Sequence, residues 1–217
     1  GGGEYDVPVG KIVYTQFLNS TGGIEADVTV TRLSEACYLV VTPAATRLAD
    51  QVWMQRHQGD FNVVITDVTA GEGVLAVMGP NSRALLEKVS PADFTNATNP
   101  FGTAQEIEIG MGIARVHRVT YVGELGWEVY MSADMAGHVF ETLHEAGQDL
   151  GLKLCGMHMM DGPDSAGRIA ATSWRPSAWI PRGTDRHPDT RRRDGHGSQR
   201  PCVCVADHHV EYGHHGR

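Results

Sequence analysis

Two carboxylates and three aromatic residues lie within the ten positions from residue 121 to residue 130. Gly123 and Gly126 permit a tight turn, and the residues after it alternate as in a strand. The turn is therefore predicted to hold Glu124 and Glu128 beside aromatic faces. A flat heterocycle with N–H donors would suit this place, because rings stack and carboxylates accept hydrogen bonds. Spacing alone favours a hairpin whose acids face water, and the ligand site is the alternative.

A third acid, Asp27, follows two glycines on a predicted strand. Carboxylates in such places are mostly solvated; the functional interpretation is a partly buried acid that orients or deprotonates an amine. Tyr14 on the preceding strand and Tyr121 could stack on a ligand or hydrogen-bond to it, although single tyrosines are more often half-buried core residues. Asp27 is the candidate catalytic residue of this group.

Metal and phosphate sites are not predicted. The soft ligands at residues 157–160 have no second cluster at ligand spacing. Cys202 and Cys204, with histidines at 208 and 209, lack the usual spacing of a zinc site. The glycines around Glu72 lack the third glycine and the helix start of a dinucleotide-binding loop.

Short strands and helices in mixed order must position these side chains. The sequence predicts a hairpin whose strands, residues 11–18 and 24–33, meet at a glycine turn. Further strands are predicted over residues 36–42, 61–68, 74–78, 105–109 and 112–120, and helices over residues 43–56, 81–88 and 134–150. Because strands and helices do not alternate strictly, we expect an α+β protein with mixed and antiparallel sheets.

Composition excludes several classes of protein. The 217 residues are 41% hydrophobic and 20% charged, as in globular proteins, and allow one large or two small domains. A net charge of −8 argues against nucleic-acid binding, and no apolar run is long enough for a membrane span. No signal peptide is visible, and the four cysteines form no disulfide-like framework, so a reducing compartment is expected.

The composition changes abruptly after Asp161. Residues 162–217 contain no Leu, Lys, Phe or Met, and Arg, His, Pro, Gly and Asp dominate them. Such a segment buries too little apolar surface to offset its ordering entropy, so it is predicted to be disordered or poorly packed on its own. The abruptness of the change suggests the hypothesis that the segment is translated out of frame. Residues 1–10 are interpreted as a tag or the start of a fragment, and residues 11–161 as the folded region.

Five stretches together carry a family resemblance: residues 14–19, 22–30, 77–82, 100–102 and 121–128. They resemble the folate-binding aminomethyltransferase family, which includes the glycine-cleavage T-protein. The amino-acid sequence of these stretches is most similar to the folate-binding C-terminal region of dimethylglycine and sarcosine dehydrogenases. The resemblance covers about residues 9–161.

The resemblance implies a tetrahydrofolate site in a fold of two mixed α/β parts and a terminal β-barrel, of which this chain lacks the complete barrel. It implies that Asp27 lies near the folate nitrogen that receives the one-carbon unit. Glu124 and Glu128 would hold the pterin, and Tyr14 and Tyr121 are further candidate folate-binding residues. In the dehydrogenase branch an upstream FAD domain oxidises an N-methyl amine, and the folate region captures the one-carbon product.

The chain departs from the family pattern in three ways. Ala26 stands where the T-protein branch carries the first of two adjacent acids, which leaves Asp27 alone. Among the 217 residues, no FAD-binding sequence stands before the folate region. Residues 162–167 replace an expected Ser-x-Arg-x-Glu-like helix.

The prediction is therefore the tetrahydrofolate-binding part of a dimethylglycine- or sarcosine-dehydrogenase-like enzyme, with folate and an N-methyl amine as partners. A stand-alone aminomethyltransferase or folate-dependent demethylase is the first alternative, and a non-catalytic folate-fold module is the second. A bacterial cytoplasm or a mitochondrial matrix would both suit such a protein, and its oligomeric state is open.

Overall fold

Mostly antiparallel strands build two sheets in the computed structural model, which describes residues 7–121, 123–155, 170–172 and 202–206. The strands are β1 (Ile12–Leu18), β2 (Ile24–Ser34), β3 (Cys37–Val41), β4 (Val64–Asp67), β5 (Glu72–Met78), β6 (Ala104–Ile109), β7 (Gly112–His117), β8 (Gly126–Ser132), β9 (Lys153–Leu154), β10 (Ala170–Thr172) and β11 (Cys202–Ala206). The helices are α1 (Arg47–His57), α2 (Ser82–Val89) and α3 (Ala136–Ala146).

The first sheet has the strand order β1-β2-β3-β11-β4. β1, β2 and β3 pair antiparallel, whereas β11 pairs parallel to both β3 and β4. One face of this sheet packs on α1 through a cluster of buried side chains. The cluster contains Phe17, Ala26, Val28, Val30, Val40, Met54 and Val63.

The second sheet has the strand order β6-β7-β8-β5-β10-β9. Its outer face carries α2 and α3, where Leu85, Leu86, Val139 and Leu143 pack against the strands. Trp127 is fully buried in this core, and its ring meets Phe94 edge-on at a centroid distance of 5.7 Å. An edge-to-face arrangement at this distance is a favourable geometry for two aromatic rings.

The two sheets face each other across a small apolar cluster. Leu39 and Val41 of β3 pack there against Val74 of β5 and Tyr130 of β8. The described residues therefore form layers in the order α1, first sheet, second sheet, and then α2 with α3. β8 lies between a helical layer and the first sheet, so every residue of it except Ser132 is buried.

The predicted α+β class with mixed and antiparallel sheets is confirmed, and the part of the chain that the structure describes contains two open sheets and no closed barrel. The strand predicted to reach residue 120 ends at His117, because the chain leaves the sheet for a loop before β8. The helix predicted over residues 134–150 is α3 with a 3-10 turn on each side. No helix within the described ranges is long and apolar enough to cross a membrane.

The predictions for the two ends concern residues that are mostly not described. Residues 1–6 and most of residues 162–217 lie outside the described ranges, as do residues 157–160 and the histidines at 208 and 209. Two short segments of the atypical tail are described, and they are β10 of the second sheet and β11 of the first.

Candidate functional site

A cavity of about 330 Å³ lies where the two sheets meet, and residues from both sheets line it. Four of the five candidate site residues are on its wall: Tyr14, Asp27, Tyr121 and Glu128. The remaining wall residues are Val28, Thr29, Val41, Thr42, Pro43, Val119 and Thr120. Glu124 is half-buried on the loop between β7 and β8 and does not line the cavity. The structure therefore brings four predicted residues together and leaves the fifth apart.

The first sheet contributes the β1–β2 hairpin to the cavity. Tyr14 lies opposite Thr29 in the strand register, and Gln16 lies opposite Asp27, so these residues share one face of the hairpin. Partial burial and a hydrogen bond to the Asp27 carboxylate raise the pKa of Tyr14. Asp27 is exposed rather than partly buried, and Tyr14 is 64% exposed, so the interpretation of Tyr14 as a half-buried core residue is wrong.

The second sheet contributes Glu128, which lies in β8 and not in the preceding turn. Only 5% of its surface is exposed, so the favoured interpretation of an acid that faces water is wrong for this residue. Burial raises the pKa of Glu128 to about 7, and a hydrogen bond of 2.6 Å from Tyr130 Oη to Glu128 Oε2 opposes that rise. Glu128 is therefore a buried carboxyl group that can change its charge near neutral pH.

A chain of buried and partly buried polar groups extends from Glu128. The rings of His117 and Tyr130 lie 4.2 Å apart. Arg115 Nε donates to His117 Nε2 at 3.3 Å, and Arg115 Nη2 contacts both carboxylate oxygens of Glu72 at 3.1 Å. Burial and the neighbouring Arg115 guanidinium hold the pKa of His117 well below its usual range, so His117 is neutral at pH 7.

The loop of residues 118–125 carries Tyr121, and Arg118 anchors both of its ends. The Arg118 backbone exchanges hydrogen bonds with Gly102 and Thr103. Its guanidinium donates to the Gly126 carbonyl at 3.2 Å and lies 4.5 Å from the centre of the Trp127 ring. Tyr121, beyond this anchor, is 56% exposed, so a half-buried core role is wrong for it as well.

The cavity wall combines a carboxyl group, two aromatic rings and several hydroxyl groups. Glu128 is the buried carboxyl group, and Tyr14 and Tyr121 are the aromatic residues. The buried Thr120 Oγ1 has no hydrogen-bond partner among the described residues, and Thr120 lines the same cavity. A buried hydroxyl without a partner is unfavourable, so a polar ligand atom or a water molecule at this wall would stabilise it.

Sequence reasoning missed Tyr130 and the threonines of the wall. Tyr130 follows Glu128 by two positions in a strand, so their side chains share a face, and this parity could have pointed to the pair. Thr42 hydrogen-bonds to the buried Asp50 of α1 at 2.5 Å, which couples the cavity wall to that helix. The cavity positions of Thr42 and Thr120 could not be predicted from sequence, because single threonines are common on strands and loops.

Several curated proteins are similar to this chain. 4-Methylaminobutanoate oxidase (formaldehyde-forming) of Paenarthrobacter nicotinovorans is 45% identical over 158 residues, which are 73% of this chain and 19% of the oxidase. The aminomethyltransferase of Bacillus velezensis is 32% identical over 72% of this chain and 42% of its own length. Mouse mitochondrial sarcosine dehydrogenase is 31% identical over 71% of this chain and 18% of its own length.

The chain thus spans less than half the length of these relatives. The family model described as the GCVT N-terminal domain matches residues 3–162, which include both sides of the cavity. The chain belongs to this folate-binding aminomethyltransferase family, whose members occur in aminomethyltransferases and in dimethylglycine and sarcosine dehydrogenases.

Proposed function

We propose that this chain is the tetrahydrofolate-binding part of an enzyme that passes a one-carbon unit from an oxidised N-methyl amine to folate. One observation carries the proposal: Tyr14, Asp27, Tyr121 and Glu128, which are distant in sequence, line one cavity. The 45% identity to an oxidase of a methylamino acid supports the dehydrogenase-like branch. Oxidation of the amine would then belong to an FAD domain elsewhere in the protein.

Within the cavity, Glu128 would accept N–H donors of the pterin from the second sheet. Tyr14 and Tyr121 would contact the faces of the bound molecule. Glu124, on the loop between β7 and β8, would help to hold the pterin from outside the cavity. Bound tetrahydrofolate would supply the amine nitrogen that takes up the one-carbon unit. Asp27 would orient or deprotonate that amine, and its hydrogen bond with Tyr14 keeps the carboxylate beside the cavity.

Anaerobic calorimetric titration with tetrahydrofolate tests the proposal. We expect saturable binding by the unaltered chain and a loss of about ten-fold in affinity for Glu128→Gln, because the amide cannot supply a charged acceptor. Glu108→Gln, at an exposed acid on the edge strand β6, is the matched control and should bind like the unaltered chain. Absence of binding heat, or equal affinities of the two variants, would reject the assignment.

Asp27 is tested separately, because its proposed role lies in chemistry more than in affinity. Asp27→Asn in the full-length enzyme should bind tetrahydrofolate nearly normally and lose most transfer of an isotope-labelled methyl carbon. Asp60→Asn, at an exposed acid before β4, is the control and should keep full transfer. Normal transfer by Asp27→Asn would remove Asp27 from the mechanism.

Two alternatives have specific support. Similarity to aminomethyltransferases at 32–35% identity fits a stand-alone transferase. Similarity of 31% to the mouse pyruvate dehydrogenase phosphatase regulatory subunit fits a non-catalytic module. An FAD domain encoded upstream in the same reading frame would favour the dehydrogenase-like protein over the transferase, and labelled methyl transfer would exclude the regulatory module.

A further inference from the structure

The Glu128 carboxylate receives one hydrogen bond from the part of the chain that the structure describes, and Tyr130 donates it. The bond joins Tyr130 Oη and Glu128 Oε2 at 2.6 Å, and both side chains are at least 95% buried. The same carboxyl group lines the cavity. Tyr130 therefore holds one oxygen of a carboxyl group that lies on the cavity wall.

Tyr130 is itself held from several directions. Its ring lies against His117, and the Arg115 guanidinium is 5.4 Å from its ring centre. Arg115 is fixed in turn by both oxygens of Glu72. A phenol held in this way cannot follow a carboxylate that rotates, so its hydroxyl defines one orientation of Glu128.

We propose that Tyr130 is a positioning residue for ligand recognition: it fixes the Glu128 carboxylate so that one oxygen accepts an N–H donor of the molecule in the cavity. The inference rests on the proposed function, because it takes the ligand to be a ring with N–H donors such as a pterin. Tyr130 does not line the cavity, and it acts on the ligand only through Glu128.

Other groups around Glu128 determine how this arrangement responds to pH. His117 lies directly opposite Glu128 in the β7–β8 register, and Arg115 and Glu72 follow beyond it. Asp27, Tyr14 and Tyr121 face Glu128 from the other cavity walls. Since a hydrogen bond to a carboxylate favours its ionised form, removing the Tyr130 hydroxyl should raise the pKa of Glu128 further.

The first test combines Tyr130→Phe with Glu128→Gln and titrates each protein with tetrahydrofolate under anaerobic conditions. Tyr130→Phe should weaken binding about ten-fold near pH 7. Near pH 9 both proteins hold an ionised Glu128, so the part of the loss caused by the raised pKa should disappear, and the part caused by the freed orientation should remain. In the Glu128→Gln background the second substitution should change affinity little. An equal loss in both backgrounds, or normal affinity of Tyr130→Phe near pH 9, would overturn the proposal.

Tyr38→Phe is the matched control, because Tyr38 lies on β3 and does not line the cavity. It should leave tetrahydrofolate affinity unchanged at every pH. A loss equal to that of Tyr130→Phe would mean that removal of any tyrosine hydroxyl weakens binding, and it would also overturn the proposal.

A ligand-free measurement separates failure of this inference from failure of the proposed function. In the unaltered chain, the NMR resonance of the ¹³C-labelled Tyr130 Cζ should shift as the Glu128 carboxyl group titrates, and Glu128→Gln should abolish that shift. This measurement does not need Tyr130→Phe to fold. If the Tyr130 resonance does not shift as Glu128 titrates, the positioning role is rejected. If the resonance shifts as expected but tetrahydrofolate does not bind, only the ligand assignment is rejected.

Discussion

Glu128 is a carboxyl group whose burial makes it respond to pH in the neutral range. Its pKa is about 7 in the folded chain and 4.5 without burial. The folded state therefore binds more protons between these values, so the stabilising contribution is complete below about pH 4.5 and is lost as the pH rises through 7. His117 acts in the opposite direction, because its lowered pKa costs stability as the pH falls below its usual titration range.

Comparison of Glu128→Gln with the unaltered chain isolates the Glu128 contribution, since the His117 contribution is common to both. Near pH 5 the free energies of unfolding should agree within about 1 kcal/mol, because both side chains are neutral. Near pH 8.5 the variant should be more stable by up to roughly 3 kcal/mol, because it buries no charge. Urea unfolding at both pH values measures this, with Glu108→Gln as control. A constant difference would contradict the assigned burial.

Ala26 departs from the family pattern, and its place in β2 shows what this departure changes. The sequence suggests that an acid is missing beside Asp27. In β2, however, Ala26 is 6% exposed and packs in the apolar cluster under α1, whereas Asp27 points to the opposite face. The alanine therefore removes no group from the cavity side of the strand. Adjacency in sequence misled because neighbouring strand residues do not share a face.

At the scale of the element, β8 joins the cavity to the core through a close approach at its first residue. Gly126 pairs with Met78 of β5, and a Cβ at this position would clash with Met78 Sδ and lie 3.2 Å from the Val77 carbonyl oxygen. No side chain fits there without moving β5 or Met78. The second of the two glycines in the central stretch is thus required by strand packing.

Gly126→Ala is expected to lower the free energy of unfolding by about 1–3 kcal/mol, because the added methyl group overpacks the interface of β5 and β8. Gly137→Ala is the matched control, since Gly137 lies in α3 with open space around its Cβ position. That change should stabilise the chain by about 0.5–1 kcal/mol through helix propensity. Urea unfolding measures both variants. Equal effects would mean that Gly126 has no packing role.

The β1–β2 hairpin was predictable because its glycine turn and flanking β-rich strands are local signals. The burial of both faces of β8 was not predictable, because one face is covered by the first sheet, whose strands are far away in sequence. The water-facing interpretation of Glu128 failed for this reason. Alternation of apolar and polar residues distinguishes the two faces of a strand, but it does not show whether a second sheet covers the polar face.

At the scale of the whole molecule, β11 lies between β3 and β4 and pairs with both. Without it, two strands of the first sheet would present unpaired edges. A chain that ends at residue 201 should therefore be less stable by roughly 3 kcal/mol and more prone to aggregate than one that ends at residue 206. Urea unfolding and light scattering test this. Equal behaviour of the two chains would show that β11 does not stabilise the sheet.

The fold class and the family followed from sequence, because element order and five short stretches were sufficient. The sequence did not show which of the two central acids lines the cavity. Glu128 lies in β8 and Glu124 in the loop before it, and the boundary between loop and strand was known only from the structure. The Glu128–Tyr130 pair could have been proposed from strand parity, but its burial could not, because the layer that covers it forms only when the sheets meet.

Asp27 and Glu128 stand 101 positions apart in the chain, yet they border the same cavity. During synthesis the lining residues of the first sheet emerge long before Glu128, so a chain that stops before β8 lacks part of the cavity wall. A small molecule that occupies the cavity would therefore select the finished arrangement and oppose global unfolding in proportion to its free concentration. Binding in the cavity would therefore show that the two sheets have packed together.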